Sequence, residues 1–306
     1  MTPIKRSLLI LALTLMWSPC FLLIKLALVD FNPATIVFLR VSLASLIFWI
    51  ALRLQGGSLP KSLTFWKHSA FMAIFSSGLP SFLFCYAETS IESALAAILN
   101  GCSPMFTAIL AHLFLPNDRM SIHKLIGILI SFCGILLLFS PNIAQGMDGD
   151  FIGMSAALIG AFCYAISHVY AKKFIAGQPR FVAPTAQLFM TAWMMLPFVL
   201  GSIETKSIFI FPSLTSILAI LGLTLLGTYL AFLIYYYLLE HCGPTAISMV
   251  SCFFPAVGML LGYLFLNEAL TAGGIFSAGL ILLGMLIVNE VISFKWRRPR
   301  FFQQEA

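Results

Sequence analysis

Charge is what this sequence has least of. Asp, Glu, Lys and Arg make up 9% of its 306 residues and hydrophobic residues 60%, and mean hydropathy is +1.01. A soluble domain carries about 25% charged residues, so water is excluded as the solvent for most of this surface. Catalytic signatures are missing too. There is no HExxH, no GxSxG, no Walker-type glycine-rich loop and no pair of carboxylates inside an apolar run, which argues against an enzyme and against an ATP-driven pump. The acids of Met147-Asp148-Gly149-Asp150 fall in a connection, where a solvated turn accounts for them. CxxC is absent and the seven cysteines, an odd number, lie mostly within apolar runs. They read as small buried side chains, and neither a disulfide framework, a metal site nor any cofactor is expected. Long polar linkers are lacking as well. Connections such as Gly56-Gly57, Pro116-Asn117 and Pro141-Asn142 are short, so no soluble domain is inserted.

What is present is a series of apolar stretches of about 20 residues, the length that crosses a bilayer as a helix. They run Ser7–Leu28, Pro33–Leu54, Ala70–Ala87, Ala94–Leu115, Ser121–Ser140, Phe151–Ala171, Val182–Ile203, Ser213–Leu239, Thr245–Leu266 and Thr271–Val291. The first is too long for a signal-peptide core and has no small-residue cleavage site, so it reads as a retained span. Part of the chain is written twice. NGCSPMFTAILAHLFL, from Asn100 to Leu115, returns 151 positions later as SCFFPAVGMLLGYLFL, from Ser251 to Leu266. The same shift carries Pro33 onto Pro184, Tyr86 onto Tyr237 and Pro104 onto Pro255. The expected fold is therefore all-α and polytopic, with about ten transmembrane helices as two five-helix repeats, 7–140 and 151–292, and a basic tail over 293–306. Pro104 and Pro255 are expected to break their helices, which a membrane tolerates where a cavity or a neighbouring helix satisfies the freed carbonyl.

The basic residues set orientation. With the N-terminus in the cytoplasm, fourteen of them, from Lys5 and Arg6 to Arg298 and Arg300, fall on the inner side, and Lys206 alone falls on the outer side. That is the positive-inside pattern. Both termini are thus predicted to be cytoplasmic, the net charge of +6 needs no nucleic-acid partner, and the tail KWRRPR reads as a topology anchor. Five spans per half make the second repeat inverted relative to the first, the arrangement that alternating access uses.

Two basic residues, Lys25 and Arg40, lie within spans, and Glu88 is the acid best placed to pair with either. The group reads equally as a structural ion pair and as an outer gate or substrate contact. Spacings of three and four put semi-polar stripes on several helices: Thr14, Trp17, Ser18, Phe21 and Lys25 on the first, and Asn100, Ser103, Pro104 and Thr107 on the fourth. The small members also fit plain close packing. Asn100 needs partners at mid-span, and Trp17 lies about eleven residues into its helix, too deep for an interfacial belt. These two, with Ser251, Tyr86, Tyr164, Tyr235 and Tyr237, are the cavity candidates, although the tyrosines also suit an interface. His168 reads either as a proton relay or as a hydrogen-bonded structural histidine.

Together the segment Trp17–Lys25 (WSPCFLLIK, close to W-G-x-x-F-x-x-x-K), Pro33 with Arg40, Pro104, Gly127 with Gly134, and Pro255 followed by Glu268 resemble the EamA-type carriers of the drug/metabolite transporter superfamily. Two departures stand out. Ser18 replaces the usual glycine, and Asn117 stands where the first repeat often has the glutamate that Glu268 supplies in the second. The resemblance implies a ten-helix carrier of small metabolites, often an exporter of amino acids or related compounds, in an inner membrane of the bacterial type. Its partners would be a small-molecule substrate and the lipid bilayer, and assembly as a homo-oligomer is compatible with it. The alternatives are a same-fold importer of a larger solute such as a nucleotide-derived metabolite, and a non-transporting membrane scaffold.

Overall fold

An apolar run in lipid has no water for its backbone, so it closes its hydrogen bonds internally as a helix. A computed structural model of the chain describes residues 3–115, 120–144, 149–175, 181–202, 211–268 and 271–288, and the described residues are helices and short connections. The spans are α1 (Ile4–Ala27), α2 (Pro33–Leu54), α3 (Leu63–Ala87), α4 (Ser93–Phe114), α5 (Ile122–Ser140), α6 (Asp150–Phe174), α7 (Val182–Gly201), α8 (Leu214–His241), α9 (Phe254–Leu266) and α10 (Ala272–Val288). The first eight are long and apolar enough to cross a membrane, and the last two are shorter apolar helices. The basic tail, Asn117, Asp148 and Lys206 lie outside the described residues.

Two boundaries differ from the sequence reading. α3 starts at Leu63 rather than Ala70, because Trp66 is anchored at its start by Nε1 donating to the Pro60 carbonyl at 3.0 Å. The connection left between the expected spans Ser213–Leu239 and Thr245–Leu266 is instead helical, within a segment that runs from Ala231 to Ser251. The chain does reverse in this region: Tyr237 meets Lys5 beside the chain's start, whereas Glu268 meets Ser93 and Ala94 at the opposite end of the bundle.

The dominant helix contacts join the two halves of the chain: α1 with α8, α2 with α7, α3 with α6, α4 with α9 and α5 with α10. Glycine sets the closest of them. A Cβ at Gly127 would run into the Gly284 carbonyl of α10, and one at Gly258 into Ala97 of α4. Such contacts replace the hydrophobic drive that lipid does not supply between helices. Large apolar side chains, among them Trp193, Phe198 and Phe265, remain exposed on the outside of the bundle, where acyl chains would meet them.

Five of the helices are broken, entered through a break or partly wound as π-helix. α1 is broken at Ser18-Pro19, between helical stretches Pro3–Trp17 and Cys20–Ala27, since a proline cannot donate into the preceding turn. α4 breaks at Gly101-Cys102, and Pro104 begins the helix that follows; Pro255 likewise sits in the first turn of α9, after a turn at Cys252-Phe253. α3 and α8 each contain one stretch of π-helix, Ala73–Gly78 and Leu225–Leu230. π-turns displace backbone carbonyls from the ladder and gather at functional sites.

Candidate functional site

The interruptions surround a cavity between the halves, lined by twenty residues from α1 to α4, α6 to α9 and the helical segment ending at Ser251. Twelve of them form six pairs 151 positions apart: Trp17 and His168, Ser77 and Thr228, Ser81 and Phe232, Phe84 and Tyr235, Asn100 and Ser251, Ser103 and Phe254. The repeat seen in the sequence thus recurs in the lining of one chamber.

Its walls are bridged by side chains that reach across to the π-turns. The Gly227 carbonyl, in the π-turn of α8, accepts from Trp17 Nε1 at 3.0 Å and from Arg40 Nη2 at 3.1 Å, while Arg40 Nε donates to Thr228 Oγ1 at 2.6 Å. On the other side the Ala73 carbonyl, in the π-turn of α3, accepts from Thr191 Oγ1 at 3.2 Å. A second tie runs from the Tyr236 hydroxyl to Gln187 Oε1 at 2.5 Å, and from Gln187 Nε2 to Ser77 Oγ at 2.5 Å. Each bond is worth about 0.5–1.5 kcal/mol net, yet in a dry site the larger effect is that the displaced carbonyls are not left bare.

Aromatic rings make up much of the lining. Phe21 lies 5.7 Å from Phe84 and 5.9 Å from Phe254, both edge-on; Phe84 stacks with Tyr164 at 5.9 Å; Trp17 is tilted on Tyr235 at 5.8 Å. His168 stacks with Tyr164 and its Nδ1 lies 3.4 Å from the Tyr235 hydroxyl. Asn100 ends the first stretch of α4. Ser103 Oγ lies 2.7 Å from its carbonyl and 3.0 Å from Oδ1, which leaves the amide nitrogen without a partner among the described residues.

Of the cavity candidates, Trp17, Asn100, Tyr164, Tyr235 and Ser251 line the chamber, together with Arg40 and His168. Tyr86 and Tyr237 stand apart from it. Tyr86 is 43% exposed and stacks on Phe82, because it lies two residues, about 200° round the helix, from Phe84. Tyr237 takes a hydrogen bond from Lys5 Nζ at 3.0 Å and stacks on His241 at 4.2 Å.

The expected ion pair takes another form. Lys25 Nζ donates to the backbone carbonyls of Glu88 and Ile91 at 2.7 and 2.8 Å, so it caps the end of α3. The Glu88 carboxylate, 1% exposed, has no hydrogen-bond partner among the described residues. Neither residue lines the cavity. Glu268, which the sequence marked only through the resemblance, closes the same end: its two oxygens accept from the backbone N–H groups of Ser93 and Ala94 at 2.8 and 3.0 Å. Asn267, at φ 53°, makes the left-handed turn that brings it there, a conformation asparagine tolerates better than most residues. The Gln187 tie was missed, although an amide in a membrane span is itself a signal. Among the described residues no group of His, Cys, Asp and Glu could hold a metal ion.

The model of the EamA-like transporter family matches twice, over residues 5–140 and 151–290. The chain is 26% identical over 284 residues to an uncharacterized transporter of Archaeoglobus fulgidus, covering 91% of this chain and 97% of that protein. It is 27% identical over 306 residues to a probable amino-acid metabolite efflux pump of Salmonella typhimurium, covering 96% and 97%. A solved crystal structure superimposes with a TM-score of 0.70 at 18% identity, over 95% of this chain and 98% of that one; at that identity it speaks for the fold alone.

Proposed function

Because this chain belongs to the EamA-like transporter family, we propose that it is a secondary transporter that exports small metabolites, amino acids or related compounds, by alternating access. That it is a multi-pass membrane transporter follows from the family and from its apolar helices; export, substrate class and mechanism are the proposal. The observation that carries it is the chamber lined by six pairs of positions 151 apart. A cavity shared by two repeated halves can be opened to either side by rocking one half on the other. The relatives named as probable amino-acid metabolite efflux pumps, in Salmonella typhimurium and Escherichia coli, support the direction and the class. The two halves would be the repeats 7–140 and 151–292, with both termini cytoplasmic. Trp17, Tyr164 and Tyr235 would enclose the apolar part of the substrate, and Asn100 and Ser251 would bind its polar groups.

The test is transport by proteoliposomes holding the purified chain, offered a mixed pool of labelled amino acids and small metabolites with and without an imposed pH gradient. Wild type should move at least one compound, and Asn100→Ala should lose that flux about tenfold. An Asn100→Ala variant as active as wild type removes the central site. A correctly inserted protein that moves nothing, nucleotide-like solutes included, sinks the carrier reading in favour of a scaffold.

A further inference from the structure

The cavity's charge is unbalanced. Among the described residues, Arg40 is the one Lys or Arg that lines the cavity, and no Asp or Glu lines it. The two acids at the α3–α4 end stand outside the lining: both oxygens of Glu268 hold backbone amides of α4, and the Glu88 carboxylate, without a hydrogen-bond partner among the described residues, is not among the lining residues. An arginine within a bilayer-spanning bundle and without a counter-charge is costly, and an anion entering the chamber offsets that cost.

The geometry of Arg40 leaves the right surface for it. A guanidinium has five N–H donors in a planar fork. Thr228 and the Gly227 carbonyl take the edge formed by Nε and Nη2, which fixes the plane. The end formed by Nη1 and Nη2 keeps its parallel donors, and that is the edge a carboxylate accepts in bidentate fashion. The other polar groups without a full set of partners extend the pattern, since the Asn100 amide nitrogen is also a donor. An ammonium group finds no carboxylate among the described lining residues.

We propose that Arg40 forms a carboxylate subsite, and that the substrate is a monoanionic carboxylic acid with an aromatic or branched apolar body whose amino group is absent or blocked. The carboxylate lies on the free end of the Arg40 fork and the apolar body lies against Trp17, Phe21, Phe84 and Phe254. This rests on the transporter reading and narrows its substrate class.

The experiment compares three bodies, indole-3-propionate, 3-phenylpropionate and 4-methylvalerate, each as the labelled acid, its primary amide and the parent amino acid. Binding is measured with the full chain in nanodiscs and flux in proteoliposomes. The acid of at least one body should bind at least tenfold tighter than its amide and its amino acid. Arg40→Gln should abolish that preference, and Arg40→Lys should retain part of it. Equal binding of acid and amide by wild type overturns the subsite, as does a preference that survives in Arg40→Gln. If Arg40→Gln does not fold, the wild-type comparison and Arg40→Lys decide. Accumulation of free amino acids with no preference for the acids defeats this proposal and leaves the carrier reading standing; no flux of any compound defeats both.

Discussion

The two halves place side chains at the same positions around the chamber but fill them with different chemistry. In the first half these positions hold Trp17, Ser77, Ser81, Phe84, Asn100 and Ser103; in the second, His168, Thr228, Phe232, Tyr235, Ser251 and Phe254. The π-turns are braced unequally too. That of α8 is held by an indole and a guanidinium from the first half, and that of α3 by the Thr191 hydroxyl from the second. Arg40 and Thr191 are themselves 151 positions apart. The breaks at Gly101-Cys102 and Cys252-Phe253 and the two π-turns recur in both halves, although the break at Ser18-Pro19 has no counterpart in α6, while the residues that bridge were free to diverge into one charged side and one neutral side. The scaffold is therefore a property of the pair, and ligand chemistry a property of the difference.

The comparison breaks most visibly at Gly227. A Cβ there would stand 2.5 Å from Cys20 Sγ, next to the Arg40 guanidinium. Its counterpart 151 positions earlier is Ser76, which already carries a side chain and lines the cavity. Gly227→Leu should cost about 3 kcal/mol, the upper end of overpacking, and should abolish transport, whereas Ser76→Ala should be nearly neutral. Thermal melting in detergent with a parallel flux assay checks both, and equal tolerance at the two positions would remove the asymmetry. Next in size is Gln187→Leu, which strips Ser77 and Tyr236 of their shared partner. A loss of about 2 kcal/mol is expected, against about 1 kcal/mol for Ile36→Val at the equivalent buried position of α2. Melting curves of the two variants measure the difference directly.

Asn100 and Ser251 give the sharper functional contrast. One end of the Asn100 amide is held by Ser103 and the other has no partner among the described residues, so under the proposed function it is the end that would meet the substrate. Asn100→Ala should reduce flux about tenfold, or about 1.4 kcal/mol, and Ser251→Ala no more than threefold. Initial rates at subsaturating substrate report the ratio, and equal losses would mean that the halves contribute alike.

Much of this was legible in the sequence because membranes punish irregularity. Apolar runs gave the spans, the prolines at 104 and 255 marked real interruptions, and the depth of Trp17 put it on the cavity wall. What escaped was of two kinds. The repetition of Tyr86 at Tyr237 marks shared ancestry of position, yet neither ring faces the chamber, since a shift of two residues turns a side chain to the opposite face. The π-turns escaped because they leave no compositional trace: AIFSSG and LLGTYL read as ordinary span interior. Their partners Gln187, Thr191 and Arg40 lie on helices far away in sequence. Lys25 and Glu88 were paired by charge, but the ammonium preferred two carbonyls already gathered at a helix end, where its donors need no second desolvated group.

The smallest effect is expected at Asp30, outside the spans in the α1–α2 turn. Its Oδ2 accepts from the backbone N–H of Ser213 at 2.9 Å and from the Ser213 hydroxyl at 2.5 Å, ahead of the first turn of α8. The position 151 further on holds Phe181, so this tie too belongs to one half alone. The Ser213 hydroxyl first, then Ser216 and the Ser213 amide, hold the Asp30 carboxyl below the ordinary value of 3.8. Since the folded pKa is the lower one, the contribution is present in full above pH 3.8 and fades as pH falls through the folded value. The carboxylate is fully exposed, and solvent screening keeps the effect small. Asp30→Asn should therefore lower the melting temperature slightly and equally from pH 5 to 8, and the gap to wild type should close only below pH 3.8. A gap that already narrows between pH 7 and 5 would place the titrating group elsewhere.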